Sequence, residues 1–300
     1  MKRSYWKLLV LLVVLALCVS ACGGKRNAPG LPQVKSIKIL AIGNSFSVDA
    51  MEYLYGILDD VGYEEIVLGN LCIGGCALST HVSNFQSNSP SYTYCLNTSG
   101  KWNLRKSYKP LDALDSEDWD VITMQQASRS SGMPQSFNPH LASLVMLVRE
   151  HCPNARLAWH MTWAYQSNAV NSVFGLYRND QMMMYDAIKD AVQTTVMPTG
   201  YFTKLIPTGT AIQNLRASFV GDNLTRDGYH LSYDKGRYLA ALTYAKALTN
   251  CDLTDITYTP SYVRFSRSEM AAMKEAASNA CRKPYEVTPS LYPPELFDQR

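Results

Sequence analysis

The chain has 300 residues, 28 basic and 25 acidic side chains, and a hydrophobic share of 47%. That length and apolar share support one large core and exclude a disordered or collagen-like chain. The near balance of charge excludes the concentrated basic surface that nucleic-acid binding requires.

Lys2, Arg3 and Lys7 precede an unbroken apolar run over residues 8–17. The run is too short to span a bilayer comfortably but suits a signal peptide. Val19, Ser20 and Ala21 then lead into Cys22. Small residues directly before a cysteine resemble a bacterial lipobox, which implies a signal peptide over residues 1–22 and a lipid on Cys22. The expected location is a bacterial membrane, facing the periplasm or the outer surface. Cleavage takes away three basic residues and no acidic ones, leaving 25 of each. Residues 23–35 read as a linker and residues 36–300 as a single domain, with an insertion at 83–110 and a C-terminal extension at 251–300.

Residues 37–42 (IKILAI) form a buried strand by their β-branched, apolar character. A turn, Gly43-Asn44-Ser45-Phe46-Ser47, follows. Ser47 is placed to cap a helix whose apolar face is Met51, Leu54, Tyr55 and Leu58, stopped by Gly62. A second strand covers residues 66–68, ending at Gly69 and Asn70, and a glycine-rich loop covers residues 73–77. Residues 83–110 read as a hairpin insertion with a polar turn. A third strand covers residues 121–124. Asn138 and Pro139 begin a helix as cap and first residue. A fourth strand covers 156–161, a helix 181–192, and a short fifth strand includes Leu205 and Ile206. Ser232 caps a helix to Leu248, and Ser266 with Glu269 forms a capping box for a last helix to Ala280. Alternating strands and helices predict a mostly parallel sheet whose strand ends converge on one crevice.

Six cysteines follow Cys22: Cys72, Cys76, Cys95, Cys152, Cys251 and Cys281. An oxidising compartment allows disulfides, and the sequence leaves their connectivity open. Cys72, Cys76 and His81 lack a fourth ligand, so no metal site is expected. No cofactor is expected either, and the oligomeric state is left open.

A serine directly after the first strand presents its hydroxyl at a helix start. It still needs a base, and the base needs an orienting partner. Asp227 stands three residues before His230, close enough for the carboxylate to reach Nδ1 and leave Nε2 for the serine. His81, His140, His151 and His160 have no aspartate at that spacing.

Gly43-Asn44-Ser45-Phe46-Ser47 and Asp227-Gly228-Tyr229-His230-Leu231-Ser232 resemble the first and last blocks of SGNH (GDSL-like) hydrolases. The resemblance extends to an exported, poorly characterised SGNH-like family of Bacteroidetes. It is carried by Gly74-Gly75-Cys76-Ala77-Leu78 with His81, Trp119-Asp120, Gln125-Gln126-Ala127-Ser128, Trp163-Ala164-Tyr165-Gln166 and Pro207-Thr208-Gly209-Thr210-Ala211, and it covers about residues 36–285. It implies a flavodoxin-like three-layer α/β/α sandwich around a mostly parallel five-stranded sheet.

The resemblance also implies a Ser45-His230-Asp227 triad and an oxyanion hole of the Ser45 N–H, the Gly75 N–H (Gly74 the rival) and a side-chain amide. The family's Gly-x-Asn-Asp is absent. Gln126 is the expected third donor, with Gln125 the rival. Asn44, His81, Ser128, Trp163, Tyr165 and Tyr229 are expected substrate contacts. The implied activity is an O-acetylesterase acting on acetylated glycans. The alternatives are another SGNH lipid or small-ester hydrolase, an acyltransferase, or a non-catalytic glycan-binding lipoprotein.

Overall fold

Ile37, Ile39, Leu40, Ala41 and Ile42 are all buried in strand β1 (Ser36–Gly43). Such a run suits a parallel strand covered on both faces. A computed structural model describes residues 34–296; the leader and Cys22 lie outside the described residues. After β1 come α1 (Ser45–Met51), α2 (Leu54–Asp60), β2 (Glu65–Cys72), α3 (Leu78–Gln86), β3 (Tyr92–Asn97) and β4 (Asn103–Tyr108). Then follow α4 (Pro110–Leu114), β5 (Val121–Met124), α5 (His140–His151), β6 (Arg156–His160), α6 (Gln181–Ala191), β7 (Lys204–Ile206), α7 (Thr208–Arg216), α8 (Lys235–Thr249) and α9 (Arg267–Arg282).

The strand order is β4-β3-β2-β1-β5-β6-β7. The five strands β2-β1-β5-β6-β7 are parallel throughout, in flavodoxin-like order, and helices flank the sheet. The sheet has seven strands rather than the expected five, because the hairpin β3–β4 joins β2 in antiparallel register. Tyr92, Tyr94 and Cys95 bury their side chains there, so β2 has no open edge. The new outer strand, β4, is almost fully exposed and carries Arg105 and Lys106, which blunts the edge against further pairing. The insertion begins later than expected, since residues 83–86 finish α3.

Other boundaries shift for local reasons. Asn44, not Ser47, caps α1: it is extended (φ −141°, ψ −157°) and its side chain accepts from Phe46 N–H. Ser47 is already inside the helix. The expected single helix is two, broken around Tyr53 (φ −104°, ψ 5°). Asp234 holds the cap position of α8, while Ser232 Oγ accepts from Gly236 N–H. Asn138 and Pro139 both precede α5. The capping box of α9 forms with both of its reciprocal bonds. All six cysteines after Cys22 are free thiols.

Candidate active site

The order of the sheet reverses around β1: β2 lies on one side and β5 on the other. The crevice beyond the carboxyl end of such a strand is where open α/β sheets bind ligands. Ser45 stands there, as the first residue of α1. Gly43 makes the turn tight. A Cβ on it would lie 2.5 Å from Ser47 Oγ and 3.2 Å from Gln125 Cδ, so only glycine fits.

The Asp227–His230 loop comes from the opposite end of the chain, just before α8. His230 Nε2 lies 2.8 Å from Ser45 Oγ. His230 Nδ1 lies 2.6 Å from Asp227 Oδ2. Asp227 Oδ1 accepts the backbone N–H groups of Tyr229 and His230 at 3.2 and 2.8 Å. Partial burial opposes the ionised Asp227 carboxyl, yet the His230 side chain and these two amides outweigh it and hold the group below the usual carboxylate range. An ionised Asp227 can only accept, so Nδ1 carries the proton and Nε2 is the acceptor facing the serine hydroxyl.

Asp49, one turn after Ser45 on α1, fastens this loop. Its buried carboxylate accepts from Arg226 Nη1 at 3.0 and 3.1 Å, from Arg237 Nε at 2.9 Å and from Leu231 N–H at 2.9 Å. Arg226 also donates from Nη1 to Leu231 O. One carboxylate thus ties the helix of Ser45 to the loop of His230.

A second, neutral network runs under Ser45. Asn44 Nδ2 donates to Cys76 O at 3.1 Å. Asn44 Oδ1 accepts from Phe46 N–H at 2.9 Å and from Gln125 Nε2 at 3.0 Å. Gln125 Oε1 faces His160 Nδ1 at 2.9 Å, and His160 Nε2 faces Thr208 Oγ1 at 3.1 Å. The orientation of Asn44 fixes that of Gln125, so His160 donates from Nδ1 and accepts at Nε2. Burial pushes the His160 imidazole down to about 3, which keeps it neutral. The chain joins the carboxyl ends of β1, β5, β6 and β7 with the glycine loop after β2.

That loop is also held by Ile73 N–H donating to Gly43 O at 3.4 Å. Gly74 and Gly75 are exposed, with open space where a Cβ would stand, and Gly75 has φ +63°, a region that favours glycine. Among the described residues, the N–H groups of Ser45, Gly74 and Gly75 donate to no protein acceptor.

A family described as a domain of unknown function, DUF4886, matches residues 38–280. A DUF4886 family protein from Bacteroides uniformis is 42% identical, with a TM-score of 0.81 over 85% of this chain and 98% of that one. The chain belongs to the DUF4886 family. A family 3 carbohydrate esterase from Clostridium thermocellum is similar at 14% identity and a TM-score of 0.43, covering 72% of this chain and 96% of that one. Phospholipase A1 from Streptomyces albidoflavus is similar at 13% identity and a TM-score of 0.44, covering 71% and 99%. No curated protein matches the sequence significantly.

Several expected site residues of this DUF4886 chain are placed elsewhere. Gln126 does not reach Ser45 as the expected third donor. Its Oε1 accepts from Leu78 and Ala127 N–H, and its Nε2 donates to Ser136 O and Oγ, so both ends of the amide tie down loops. Gln125, the rival donor, is held between Asn44 and His160. The pleat alternation that would point only one glutamine inward ends with β5 at Met124, and both glutamines are buried beyond it.

Asn44 is buried as cap and loop tie rather than open to substrate. His81 is fully buried against Tyr92 Oη, and burial pushes its imidazole down to about 3. Trp163 is buried with its ring stacked on Phe46 at 4.1 Å, and its Nε1 donates to Tyr229 O. Tyr165 is buried, with its hydroxyl 2.9 Å from Ser128 Oγ. Ser128 and Tyr229 are half-buried, and the Tyr229 ring lies 4.2 Å from that of His230.

Asp49, His160 and Thr208 carry the supporting geometry, and the sequence assigns none of them a role in the site. Asp49 carries no local signal, because its arginine partners lie far along the chain.

Proposed function

We propose that this DUF4886 chain is a serine esterase whose nucleophile is Ser45, whose base is His230 and whose orienting carboxylate is Asp227, acting on O-acetylated glycans. The observation that carries the reading is the unbroken sequence of contacts from Ser45 Oγ through both His230 nitrogens to Asp227. The glycan preference draws on the resemblance to exported SGNH-like proteins and on the neutral charge expected of the mature chain. Export and lipid anchoring through Cys22 are part of the same proposal.

In the first half-reaction, Ser45 Oγ attacks the ester carbonyl carbon as His230 Nε2 takes the hydroxyl proton. Asp227 holds the imidazole in place and offsets its positive charge. The N–H groups of Ser45 and Gly75 (or Gly74) are the donors available to the oxyanion. The intermediate collapses, and the sugar alkoxide leaves with the proton from His230. Water then attacks the acetyl-enzyme by the same route, releasing acetate and restoring the serine.

The test is acetate release from p-nitrophenyl acetate and from a panel of acetylated glycans, beside Ser45→Ala. Ser45→Ala is expected to lose at least about a thousandfold in kcat. Equal, near-background release by both folded proteins would overturn the esterase reading and favour a glycan-binding role.

A further inference from the structure

Ser45, Val48 and Glu52 are spaced by three and four residues, so they share one half-exposed face of α1. A cavity of about 280 Å³ opens along that face, lined by Val48, Glu52, Asn70, Cys95, Trp102 and Leu104. Val48 stands about 5 Å below the nucleophile along the helix axis and Glu52 about 10 Å below it. The opposite wall, Trp102 and Leu104, belongs to the hairpin β3–β4 and the turn between its strands.

The lining is amphipathic in a specific way. Trp102, Val48 and Leu104 give an aromatic and aliphatic surface, with Leu104 63% exposed. Asn70 is 1% exposed. One end of its amide meets Ser47 Oγ at 3.0 Å. Asn70 lines the cavity, where its amide N–H groups can donate to a hydroxyl of a guest. Glu52 adds acceptors, and its charge is answered by Arg237 Nη1 at 3.3 Å, so the cavity suits a neutral guest. An acyl chain would leave Asn70 and Glu52 unmatched, whereas a pyranose has an apolar C–H face and hydroxyls that both donate and accept. The volume lies just below the range of drug-sized ligand sites, room for a single ring.

We propose that this cavity is a sugar subsite: it holds one neutral pyranose of the substrate against the Trp102 indole, with Asn70 and Glu52 taking its hydroxyls and its ester at Ser45. The inference rests on the esterase reading for the place of the ester. It also makes the hairpin a specificity element rather than only an edge cover.

The experiment compares wild type, Trp102→Ala and Trp102→Phe on p-nitrophenyl acetate, on p-nitrophenyl esters of longer acyl chains and on a mono-O-acetylated methyl glucoside. Trp102→Ala is expected to lower kcat/KM for the acetylated glucoside, relative to p-nitrophenyl acetate, by about tenfold through KM. Trp102→Phe should recover most of it. An unchanged ratio overturns the subsite. A loss that grows with acyl length overturns the sugar in favour of an acyl chain. Binding separates failure of the subsite from failure of the esterase reading. If wild type releases no acetate, calorimetric titration of Ser45→Ala with the same acetylated glucoside, with and without Trp102→Ala, decides the subsite. Binding that depends on Trp102 upholds it, and binding absent or indifferent to Trp102 overturns it.

Discussion

Beneath Ser45 the anchors are neutral: two amides, an imidazole and a hydroxyl, passed from Asn44 to Thr208. Beneath His230 they are charged: the Asp49 carboxylate between Arg226 and Arg237. Compensation rather than depth separates the two: Asn44, Gln125, His160 and Thr208 are buried with no ionic partner nearby, whereas Asp49, equally buried, is answered by two guanidiniums. The two guanidiniums keep partial access to solvent and lie over the Tyr233 ring at 4.9 and 4.7 Å, so their charge is shared between the carboxylate, an aromatic face and water. The Ser45 turn is therefore fixed by neutral hydrogen bonds. The His230 loop, 185 residues away in the chain, is fixed by charge-assisted ones.

Breaking the charged anchor should have the larger effect. Asp49→Asn keeps the side-chain shape but leaves two arginines facing a neutral amide. Removing one partner of a buried ion pair costs about 3–5 kcal/mol. The midpoint of urea unfolding is expected to fall accordingly, and acetate release to fall further than the folded fraction explains, because His230 loses its register with Ser45. A variant as stable as wild type would show that Asp49 is not the clamp. A stable variant with full activity would show that the loop holds itself.

The neutral anchor should break more gently. Gln125→Leu removes the acceptor of His160 Nδ1–H and one donor to Asn44 Oδ1, leaving buried polar groups unmatched at about 1–3 kcal/mol. Asn44 keeps its bonds to Phe46 and Cys76, so the turn should persist. Gln126→Leu should be comparably destabilising through the loops it ties, at Leu78 and Ser136. A loss of a hundredfold or more in kcat with little loss of stability, in either variant, would instead mark that glutamine as an oxyanion donor, since removing one such donor costs about that much.

What the sequence disclosed follows the same division. The turn after β1 and the Asp227–His230 spacing are local signals, readable because each functional relation spans five residues or fewer. The hairpin was legible as strands and a turn. Its addition to the β2 edge was not, because pairing partners in a sheet are set by tertiary context. Asp49 was silent because its arginine partners lie 177 and 188 residues away. On an amphipathic helix, a lone aspartate reads as a surface residue. His160 was passed over because it has no local carboxylate, yet its role needs only a neutral amide delivered by the neighbouring strand. Trp163 and Tyr165, expected as substrate contacts, are core residues. Nothing local distinguishes an aromatic residue under a helix from one beside a crevice. Helix α7 has no strong sequence signal, because it starts directly after Pro207 and carries Gly209 in its first turn.

The smallest effect separates the two histidines that burial keeps neutral. His81 and His160 are both pushed down to about 3 from an ordinary value of 6.5. Below about pH 6.5 the unfolded chain takes up protons at these positions while the folded chain does not. Their contribution to stability is therefore complete above that pH and is lost as pH falls toward about 3, at roughly 1 kcal/mol per pH unit for each histidine. His81 lies outside both anchors, with its Nε2 unpartnered, so it can be replaced without touching either. Stability of His81→Gln, measured by urea titration at several pH values between 7 and 4, should decline with a slope shallower than wild type by that amount. Below pH 6 the variant should lose less than wild type for each step of acid, whatever its stability at neutral pH. Parallel slopes would mean that the His81 pocket opens to admit a proton before the fold is lost. The remaining acid sensitivity would then belong to the carboxylates, Asp227 among them, whose lowered value loses stability in the same direction but at lower pH.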